Sequence, residues 1–461
     1  MSDQTDPADL GLLEAADQMR AGRLSAVELT EACLRRIEER NGGEPTFDGA
    51  PDRINAWVRL YPDRAREDAA RADARRARDG DATPLLCGVP IGVKDLYGVA
   101  GLPLTASSRV LEGTGAATAD APAWGRLRDE GMVLLGHTHT HEFAAGGTTD
   151  QVGNPWNLGL TAGGSSGGSA AALAARMTPA ALGSDTCGSL RIPSACCGTC
   201  AIKPTHGRIS LDGIVPLAPS LDHPGPMARA VADCAAVLQA MAAMGALPLA
   251  SGSGPSPLDG VTVALTDRTN QIFMNEEVGR GFESAVRACE QLGARVVELP
   301  IPRTFEWDDL SWVLMAEVWA YHRALADRHD RYREQVAEFI EAARNFTDAQ
   351  AYIAAQMRRA RVTAAWEAWF TEHGVDAVLE PTLPILPLVR GVGYERGHPA
   401  GPGDPLIALT ALWDMTGMPV ASFPVSWSVG MSLIAPRGRE APLTQIAIDL
   451  QERALGVPAW R

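Results

Sequence analysis

The sequence predicts a single α/β domain that contains some parallel sheet. Residues 261–265 and 294–299 are short apolar runs on either side of a helical pattern at 281–292. Such a β-α-β unit joins two parallel strands. Strand-like runs occur on both sides of a segment rich in Gly and Ser, residues 146–225, with no Pro/Ser linker between them. A chain of 461 residues with 46% hydrophobic content can bury one large core.

The other elements follow from periodicity. Apolar residues at helical spacing predict amphipathic helices over residues 9–40, and residues 64–78, rich in Ala, Arg and Asp, predict an exposed helix. Residues 85–93 and 132–135 are predicted to be buried strands, and residues 146–225 mostly loops. Thr347 and Gln350 have the spacing of a capping box, which predicts the start of a long helix. Strands are predicted at 377–379, 420–423 and 431–434, before a closing helix from about Glu440.

Composition argues against several partners. The formal net charge is −15 and the 41 basic residues are scattered, so we expect no nucleic-acid partner. The acidic, polar start of the chain lacks the features of a secretory signal, and we expect a cytoplasmic protein. Two uncharged stretches, residues 151–175 and 234–258, are interrupted by Gly and Pro, so we expect no membrane span.

The eight cysteines show no repeated spacing. Cys197 and Cys200 form a C-x-x-C pair, which could bind a metal or carry redox chemistry. A zinc site normally has two more ligands at regular spacing. Small buried thiols are therefore the favoured interpretation.

Lysine is rare in this chain. Of the 41 basic residues only Lys94 and Lys203 are lysines, and the other 39 are arginines. An arginine does not lose its proton in a protein, whereas burial can lower the pKa of a lysine into a useful range. Each lysine is therefore a candidate base.

The run GGSSGGS at residues 163–169 precedes an Ala-rich helix. Backbone N–H groups at a helix start favour an anion or an oxyanion, and no Lys follows as in a phosphate loop. Gly163-x-Ser165-x-Gly167 also fits the nucleophile elbow of α/β-hydrolases, with Ser165 as nucleophile. That alternative needs a downstream histidine, for which the candidates are His206, His223, His322, His329, His373 and His398.

Two further motifs complete a constellation, GVPIGVKD at residues 88–95 and GSDTCGSLRIP at residues 183–193. Together with GGSSGGS, they closely resemble the amidase signature family. The segments HEFA (141–144), GNPW (153–156), KPTHGR (203–208) and SLDHPGP (220–226) extend the likeness. It is strong over about residues 9–230 and looser over residues 231–461, where the family varies its substrate pocket. The resemblance implies one domain over residues 1–461, with a large, central, mixed and twisted sheet covered by helices on both sides.

The resemblance also implies the reaction, a hydrolysis of amide-type C–N bonds without metal or cofactor. Ser189 would attack the carbonyl, Ser165 would relay protons, and Lys94 would act as base, with a cis peptide bond before Ser165. The N–H groups of Thr186, Cys187, Gly188 and Ser189 would form the oxyanion hole, and Asp185 and Arg191 would support that loop. The family commonly has Gly where Cys187 stands, so a side chain is expected beside the oxyanion hole.

The expected substrate is a small amide, aryl amide, ester or carbamate, handled by a monomer or homodimer. Gly163 and Gly164 lie in the serine loop and are candidate substrate contacts. Trp307, Trp312, Met315, Trp319 and Tyr321 lie in one helical stretch, and such spacing is more typical of core than of a pocket. If some of them line the cleft, apolar or aryl groups would be favoured.

Two other functions compete. His137, His139 and His141 alternate after a predicted strand, which would suit a metal-dependent amidohydrolase using His137 and His139. The family also includes the glutaminase subunit of tRNA-dependent amidotransferases, which works in a complex with a tRNA-binding partner. A pure binding module would not explain a rare Lys with two Gly-flanked serines.

Overall fold

The structure is a computed structural model that describes residues 6–392 and 404–458. The first five residues and His398, on which predictions were made, lie outside the described residues. The described strands are β1 (Trp57–Leu60), β2 (Pro90–Lys94), β3 (Val133–Thr138), β4 (Gly153–Asn154), β5 (Asn157–Thr161), β6 (Ala180–Asp185), β7 (Cys200–Lys203), β8 (His223–Ala228), β9 (Thr262–Thr266), β10 (Arg295–Leu299), β11 (Ala377–Pro381), β12 (Val420–Ser426) and β13 (Val429–Ile434).

The described α-helices cover the sheet and connect its strands. They are α1 (Leu12–Arg20), α2 (Ala26–Arg40), α3 (Pro62–Asp79), α4 (Pro122–Glu130), α5 (Gly167–Ala174), α6 (Arg191–Cys197), α7 (Val231–Ala242), α8 (Glu276–Gln291), α9 (Trp307–His322), α10 (Glu334–Ala343), α11 (Ala349–His373), α12 (Ala411–Met415) and α13 (Glu440–Leu450). None of the helices in the described ranges is long and apolar enough to cross a membrane.

Eleven strands form one mixed sheet, in the order β1-β3-β2-β6-β8-β7-β12-β13-β11-β9-β10, and β4 and β5 form a separate pair. The predicted β-α-β unit is confirmed, because β9 and β10 are parallel and α8 connects them. β2 is parallel to both β3 and β6, whereas β6, β8, β7 and β12 pair antiparallel in succession. The prediction of one α/β domain with a large mixed sheet is thus confirmed.

Three local predictions need correction. The strand predicted over residues 85–93 begins only at Pro90, because turn hydrogen bonds from Cys87 to Pro84 and from Val89 to Leu86 occupy the preceding backbone. The long helix α11 is capped by Asp348, whose side chain accepts from two backbone N–H groups, and not by Thr347. Residues 146–225 are less loop-rich than predicted, since they contain β6, β7 and two buried helices.

The core falls into two clusters of buried apolar residues. The larger cluster extends from the N-terminal helices through the sheet to α13. The smaller one lies among α9, α11, α12 and the adjacent strands, and contains Trp366, Trp369 and Trp413. The Trp366 and Trp413 rings meet edge to face with centroids 4.9 Å apart. This second cluster packs against the partly buried side chain of Cys187, and so connects the C-terminal half to the loop that carries Ser189.

Candidate active site

Lys94 and Asp185 are the last residues of β2 and β6, two neighbouring parallel strands. The carboxyl ends of parallel strands are the usual place for a binding crevice in open α/β sheets. α5, which starts just after Ser166, packs against both strands. Its residues are all buried and, apart from Leu173, small, so the serine loop lies close to the sheet. The fold thus brings the three sequence motifs together at the carboxyl ends of β2 and β6.

The Lys94 ammonium group is enclosed by hydroxyl groups. Its Nζ lies 2.7 Å from Ser165 Oγ, 2.8 Å from Ser166 Oγ and 2.9 Å from Ser184 Oγ. The side chain is fully buried. Burial lowers the pKa of Lys94 to about 7, although the charges of Asp185 and Asp222 oppose the shift. A lysine in this setting can exchange protons with a hydroxyl near neutral pH.

Ser165 and Ser166 differ in the use of their hydroxyl protons. The peptide bond between Gly164 and Ser165 is cis, as expected. Ser166 Oγ donates to the Ser184 carbonyl oxygen at 3.2 Å and accepts from the Ser184 N–H at 3.2 Å. In the described part of the chain, Lys94 is the hydrogen-bond partner of Ser165 Oγ. The Ser165 proton is therefore free for transfer, whereas that of Ser166 is already donated.

The two glycines before Ser165 are packed against backbone. Gly163 has φ +72°, and a Cβ there would lie 2.7 Å from Pro193 Cα. A Cβ on Gly164 would lie 2.4 Å from the Thr148 carbonyl oxygen. Glycine is required at both positions because no side chain fits. These contacts explain both glycines without a substrate, so their predicted role in binding stays a prediction.

Ser189 lies in the loop between β6 and α6. It is 6% exposed, whereas Lys94 and Ser165 are fully buried. Its carbonyl oxygen accepts from the Ser166 N–H at 3.2 Å, which places the two serine loops side by side. The structure gives no direct hydrogen bond between the Ser165 and Ser189 hydroxyls among the contacts of the described residues. Ser189 is thus the member of the Lys94–Ser165–Ser189 trio that faces outward.

The four predicted oxyanion donors are not equivalent. The Gly188 N–H donates to Asp185 Oδ1 at 2.5 Å, which differs from the expectation that it is free for substrate. The N–H groups of Thr186, Cys187 and Ser189 lie outside helix and strand, and none of them donates to an acceptor among the described residues. The Gly188 N–H is therefore occupied by Asp185 and not available to an oxyanion in this structure.

Asp185 and Arg191 form a fully buried ion pair behind the loop. Arg191 Nε lies 2.9 Å from Asp185 Oδ2 and its Nη2 lies 3.0 Å from Asp185 Oδ1, a two-point contact. Burial alone would raise the pKa of Asp185, but the charge and hydrogen bonds of Arg191 hold that pKa at about 2. Asp185 also accepts from the Leu190 N–H at 3.1 Å, so this carboxylate holds the loop from inside.

Four other residues of this site were not predicted from the sequence. Asp222 accepts from the Thr186 hydroxyl at 2.6 Å, and Asp414 accepts from Arg191 at 2.5 Å. Ser184 contacts Lys94, and Thr410 contacts the Cys187 carbonyl oxygen at 2.5 Å. Ser184 and Asp222 lie inside the motifs GSDTCGSLRIP and SLDHPGP, which could have pointed to them. Asp414 and Thr410 lie more than 200 positions after their partners Arg191 and Cys187, in a segment whose sequence gives no local signal.

The predicted aromatic pocket residues do not share one face. Trp307 is 44% exposed and lines a cavity of about 340 Å³ together with Phe305 and Ala408. Trp312 contacts Phe346 and the second core cluster. Met315 and Trp319 pack partly buried against the first cluster. Only Trp307 of these four therefore lines that cavity.

The histidines at the end of β3 and just after it, His137, His139 and His141, do not converge on one point. His137 Nδ1 lies 2.9 Å from the Tyr61 hydroxyl, and His139 contacts Ser107 and the Thr46 carbonyl oxygen. His141 is turned to the Glu142 carbonyl oxygen. Within residues 6–392 and 404–458, no group of three His, Cys, Asp or Glu side chains is placed to hold a metal. The geometry does not support the metal-dependent alternative.

Other sequence candidates lie apart from the trio. Cys197 and Cys200 donate to different backbone carbonyl groups, those of Ala162 and Arg229, so the C-x-x-C pair is not arranged as one site. The eight cysteines are free thiols. Lys203 is fully buried, but its Nζ donates to the Met418 carbonyl oxygen at 2.6 Å rather than to a serine. The elbow alternative lacks support, because Ser165 contacts a lysine and not a histidine.

Comparison with known proteins decides the family. A family model described as Amidase matches residues 28–443. The chain belongs to the amidase family. A glutamyl-tRNA(Gln) amidotransferase subunit from Myxococcus xanthus is 32% identical to this amidase over 490 aligned positions, which cover 95% of this chain and 96% of that protein.

Two further comparisons support the assignment. The amidotransferase subunit of the same name from Roseiflexus castenholzii is 40% identical to this amidase over 309 residues, covering 64% of this chain and only 60% of that relative. The structure of native peptide amidase from Stenotrophomonas maltophilia superposes with a TM-score of 0.81 at 28% identity, covering 98% of each chain. This amidase therefore shares both the sequence pattern and the fold of the family.

Proposed function

We propose that this protein hydrolyses the C–N bond of small amides through an acyl-enzyme on Ser189, with Ser165 as proton relay and Lys94 as base. The observation that carries the proposal is the 2.7 Å contact between Lys94 Nζ and Ser165 Oγ in a fully buried, hydroxyl-lined site. A neutral amine is a base, and burial keeps a large fraction of Lys94 neutral near pH 7.

Acylation involves two proton transfers toward Lys94, followed by two transfers from Lys94 to the leaving nitrogen. Ser189 Oγ forms a bond to the carbonyl carbon as its proton passes to Ser165, whose own proton passes to Lys94. The protonated Lys94 then returns a proton through Ser165 to the leaving nitrogen, and the C–N bond breaks. A water molecule repeats the sequence on the acyl-enzyme, which releases the acid and restores Ser189. A hydroxyl suits the relay because it both donates and accepts.

The negative charge on the tetrahedral oxygen would be met by the N–H groups of Thr186, Cys187 and Ser189. Fixed donors of this kind stabilise the transition state, and the loss of one typically costs about 3 kcal/mol. The Asp185–Arg191 pair and the Asp222–Thr186 contact hold the loop that carries them. Fixing these donors before substrate binds avoids a reorganisation cost during the reaction.

The substrate proposal rests on Trp307. The cavity that it lines with Phe305 lies next to Ala408, two residues before the threonine that contacts the oxyanion loop. An aryl or apolar group of the substrate would fit such a wall. Amides, anilides, esters and carbamates share the tetrahedral route, so urethane bonds belong to the proposed range. Small aliphatic amides cleaved as fast as aryl amides would contradict the aryl preference.

A second function has support from the relatives. The two at 32% and 40% identity carry the name of a glutamyl-tRNA(Gln) amidotransferase subunit. In that role the same trio would release ammonia from glutamine within a complex. Glutamine hydrolysis that rises strongly on addition of a co-purifying partner would favour this function over a free-standing amidase.

The test is release of a chromogenic amine from matched aryl amide and carbamate substrates, and of the corresponding alcohol from the ester, with a chelator present. We expect Ser189→Ala to lose at least about a thousandfold in kcat. Ser194→Ala is the matched control, because Ser194 is buried in the adjacent helix and its hydroxyl has no hydrogen-bond partner among the described residues. Full activity in Ser189→Ala would overturn the nucleophile assignment, and loss of wild-type activity to chelator would overturn the metal-independent route.

A further inference from the structure

The peptide group between Cys187 and Gly188 is held at both ends. Its carbonyl oxygen accepts from Thr410 Oγ1 at 2.5 Å, and its N–H donates to Asp185 Oδ1 at 2.5 Å. A peptide group is planar, so fixing both ends fixes the orientation of the whole plane. This plane separates the N–H of Cys187 from that of Ser189, two of the proposed oxyanion donors.

Local sterics do not fix this peptide. Gly188 has φ +134°, a region that glycine enters readily and other residues avoid. A Cβ at this position would lie 2.5 Å from Thr410 Oγ1 and 2.8 Å from Ile192 Cδ1. Glycine is therefore required, but it leaves the peptide free to rotate. The orientation must come from the partners at its two ends.

Thr410 is itself rigidly placed. It is 1% exposed, and its carbonyl oxygen accepts from Arg191 Nη1 at 3.0 Å. The two preceding carbonyl groups accept from Arg268 at 3.0 and 2.8 Å, and Arg268 is paired with the buried Glu380. The Thr410 hydroxyl has one proton and a second acceptor, the Leu406 carbonyl oxygen at 3.4 Å. The shorter contact makes the Cys187 carbonyl its main acceptor.

We propose that Thr410 is a positioning residue for the hydrolysis, and that its hydroxyl locks the Cys187–Gly188 peptide of the oxyanion loop. The inference rests on the proposed function, since it concerns the same reaction. While the peptide is locked, the Gly188 N–H stays on Asp185, and the N–H groups of Cys187 and Ser189 stay available to the oxyanion. Within the described ranges the Thr410 hydroxyl bonds neither Lys94 nor Ser165, so it acts through the loop.

Removal of the hydroxyl leaves the Cys187 carbonyl without its donor and allows the peptide to rotate. Misplacement of transition-state donors by a fraction of an ångström to 1 Å lowers turnover by roughly ten- to hundredfold. Because the donors act on the oxyanion rather than on the bound substrate, the loss should fall on kcat and leave KM within about twofold.

The experiment compares Thr410→Val, which is isosteric but lacks the hydroxyl, with Thr410→Ser, which keeps it. Thr416→Val is the matched control. Thr410 directly precedes α12 and Thr416 directly follows it. Thr416 is 2% exposed, and its hydroxyl donates to the Leu412 carbonyl oxygen, away from the loop. We expect a kcat loss in Thr410→Val, recovery of most of kcat in Thr410→Ser, and near wild-type kcat in Thr416→Val. If Thr410→Val is not folded, Thr410→Ala takes its place.

Thermal unfolding shows whether each variant is folded, and the activity of Ser189→Ala is measured alongside them. A folded Thr410→Val with kcat within about twofold of wild type would overturn the positioning role. So would a Thr410→Ser as impaired as Thr410→Val, or a Thr416→Val impaired to the same degree. Full activity of Ser189→Ala would instead overturn the proposed function itself, so the two failures are distinguishable.

Discussion

The Lys94 side chain meets Ser165 at 2.7 Å, and the other two side chains that it contacts also offer hydroxyl groups rather than carboxylates. A protonated ammonium has three hydrogens and would donate to all three. A neutral amine has one lone pair, so one hydroxyl must donate to it. Ser166 has already given its proton to the Ser184 carbonyl oxygen, which leaves Ser165 or Ser184 as the donor. The hydrogen-bond pattern thus allows Ser165 to pass a proton to Lys94, as the proposed relay requires.

We expect activity to rise with pH through about 7 and to level off above it. Burial lowers the pKa of Lys94 to about 7, and the base works only in its neutral form. The measurement is kcat/KM from about pH 5 to 9 with an aryl amide that does not ionise in this range. Lys94→Met should abolish turnover at every pH. A wild-type profile that is flat over this range would contradict the role of Lys94.

The two adjacent serines should differ in their contribution. Ser165→Ala removes the relay and should lower kcat by about 10³-fold, in the range of general acid–base catalysis. Ser166→Ala removes a hydroxyl whose proton is already donated, so its loss of kcat should be at least about tenfold smaller. Steady-state kinetics of both variants with one aryl amide measures the ratio. Equal losses would show that the order of the relay is wrong.

The side chain of Cys187 should tune substrate preference and not the reaction itself. It packs partly buried against the second core cluster beside the proposed donors, and burial raises the pKa of its thiol well above the usual value. The thiol therefore stays protonated and inert. Cys187→Ala and Cys187→Gly should both stay active, with altered ratios of kcat/KM between bulky and small leaving groups.

Comparison of the two variants separates side-chain volume from backbone freedom. Cys187→Ala removes only the sulfur, whereas Cys187→Gly also gives the backbone beside Gly188 more conformational freedom. A change that appears only in the glycine variant would trace to the backbone. Complete inactivation of Cys187→Ala would contradict the placement of this side chain beside the oxyanion hole.

Lys203 should make folding stability depend on pH. Burial lowers its pKa to about 7, so between pH 7 and about 10 the unfolded chain binds a proton that the folded chain lacks. Stability therefore rises with pH through this window. Lys203→Met removes one such group, and the slope of the unfolding free energy between about pH 7.5 and 8.5 should fall by about 1 kcal/mol per pH unit.

Urea unfolding at several pH values measures this slope. The comparison with the variant isolates Lys203, because Lys94 and the buried thiols contribute equally to both proteins. The window lies above the usual pKa of histidine, so neutral buried histidines add little. Equal slopes in the two proteins would show that Lys203 keeps its proton in the folded state.

The sequence pattern located the candidate site but not the residues that hold its loop in place. Lys94 stood out because only one other lysine exists, and the serines stood out because glycines flank them. The parallel unit around α8 was predictable from apolar periodicity, since each of its two apolar runs begins directly after a glycine, Gly260 or Gly293. Thr410 and Asp414 were not predictable, because their partners lie 223 residues earlier in the chain and neither has a distinctive neighbourhood.

The geometry of the candidate site could not be predicted from the sequence either. Gly188 and Ser189 are neighbours in one motif, and no rule of spacing states that Asp185 takes the N–H of one and leaves the other free. The aromatic residues of α9 share helical spacing, but α9 is enclosed by several elements, so its residues point to separate environments. Local periodicity reports burial, not which neighbour covers a residue.

The order of the strands sets a constraint on synthesis. β7 pairs with β8 on one side and with β12 on the other, and β12 is among the last strands made. While the ribosome is still translating the C-terminal half, the nascent sheet presents β7 as an open edge with unpaired backbone groups. Open edges of this kind recruit other strands and promote aggregation. Expression should therefore profit from chaperones that shield the unfinished sheet.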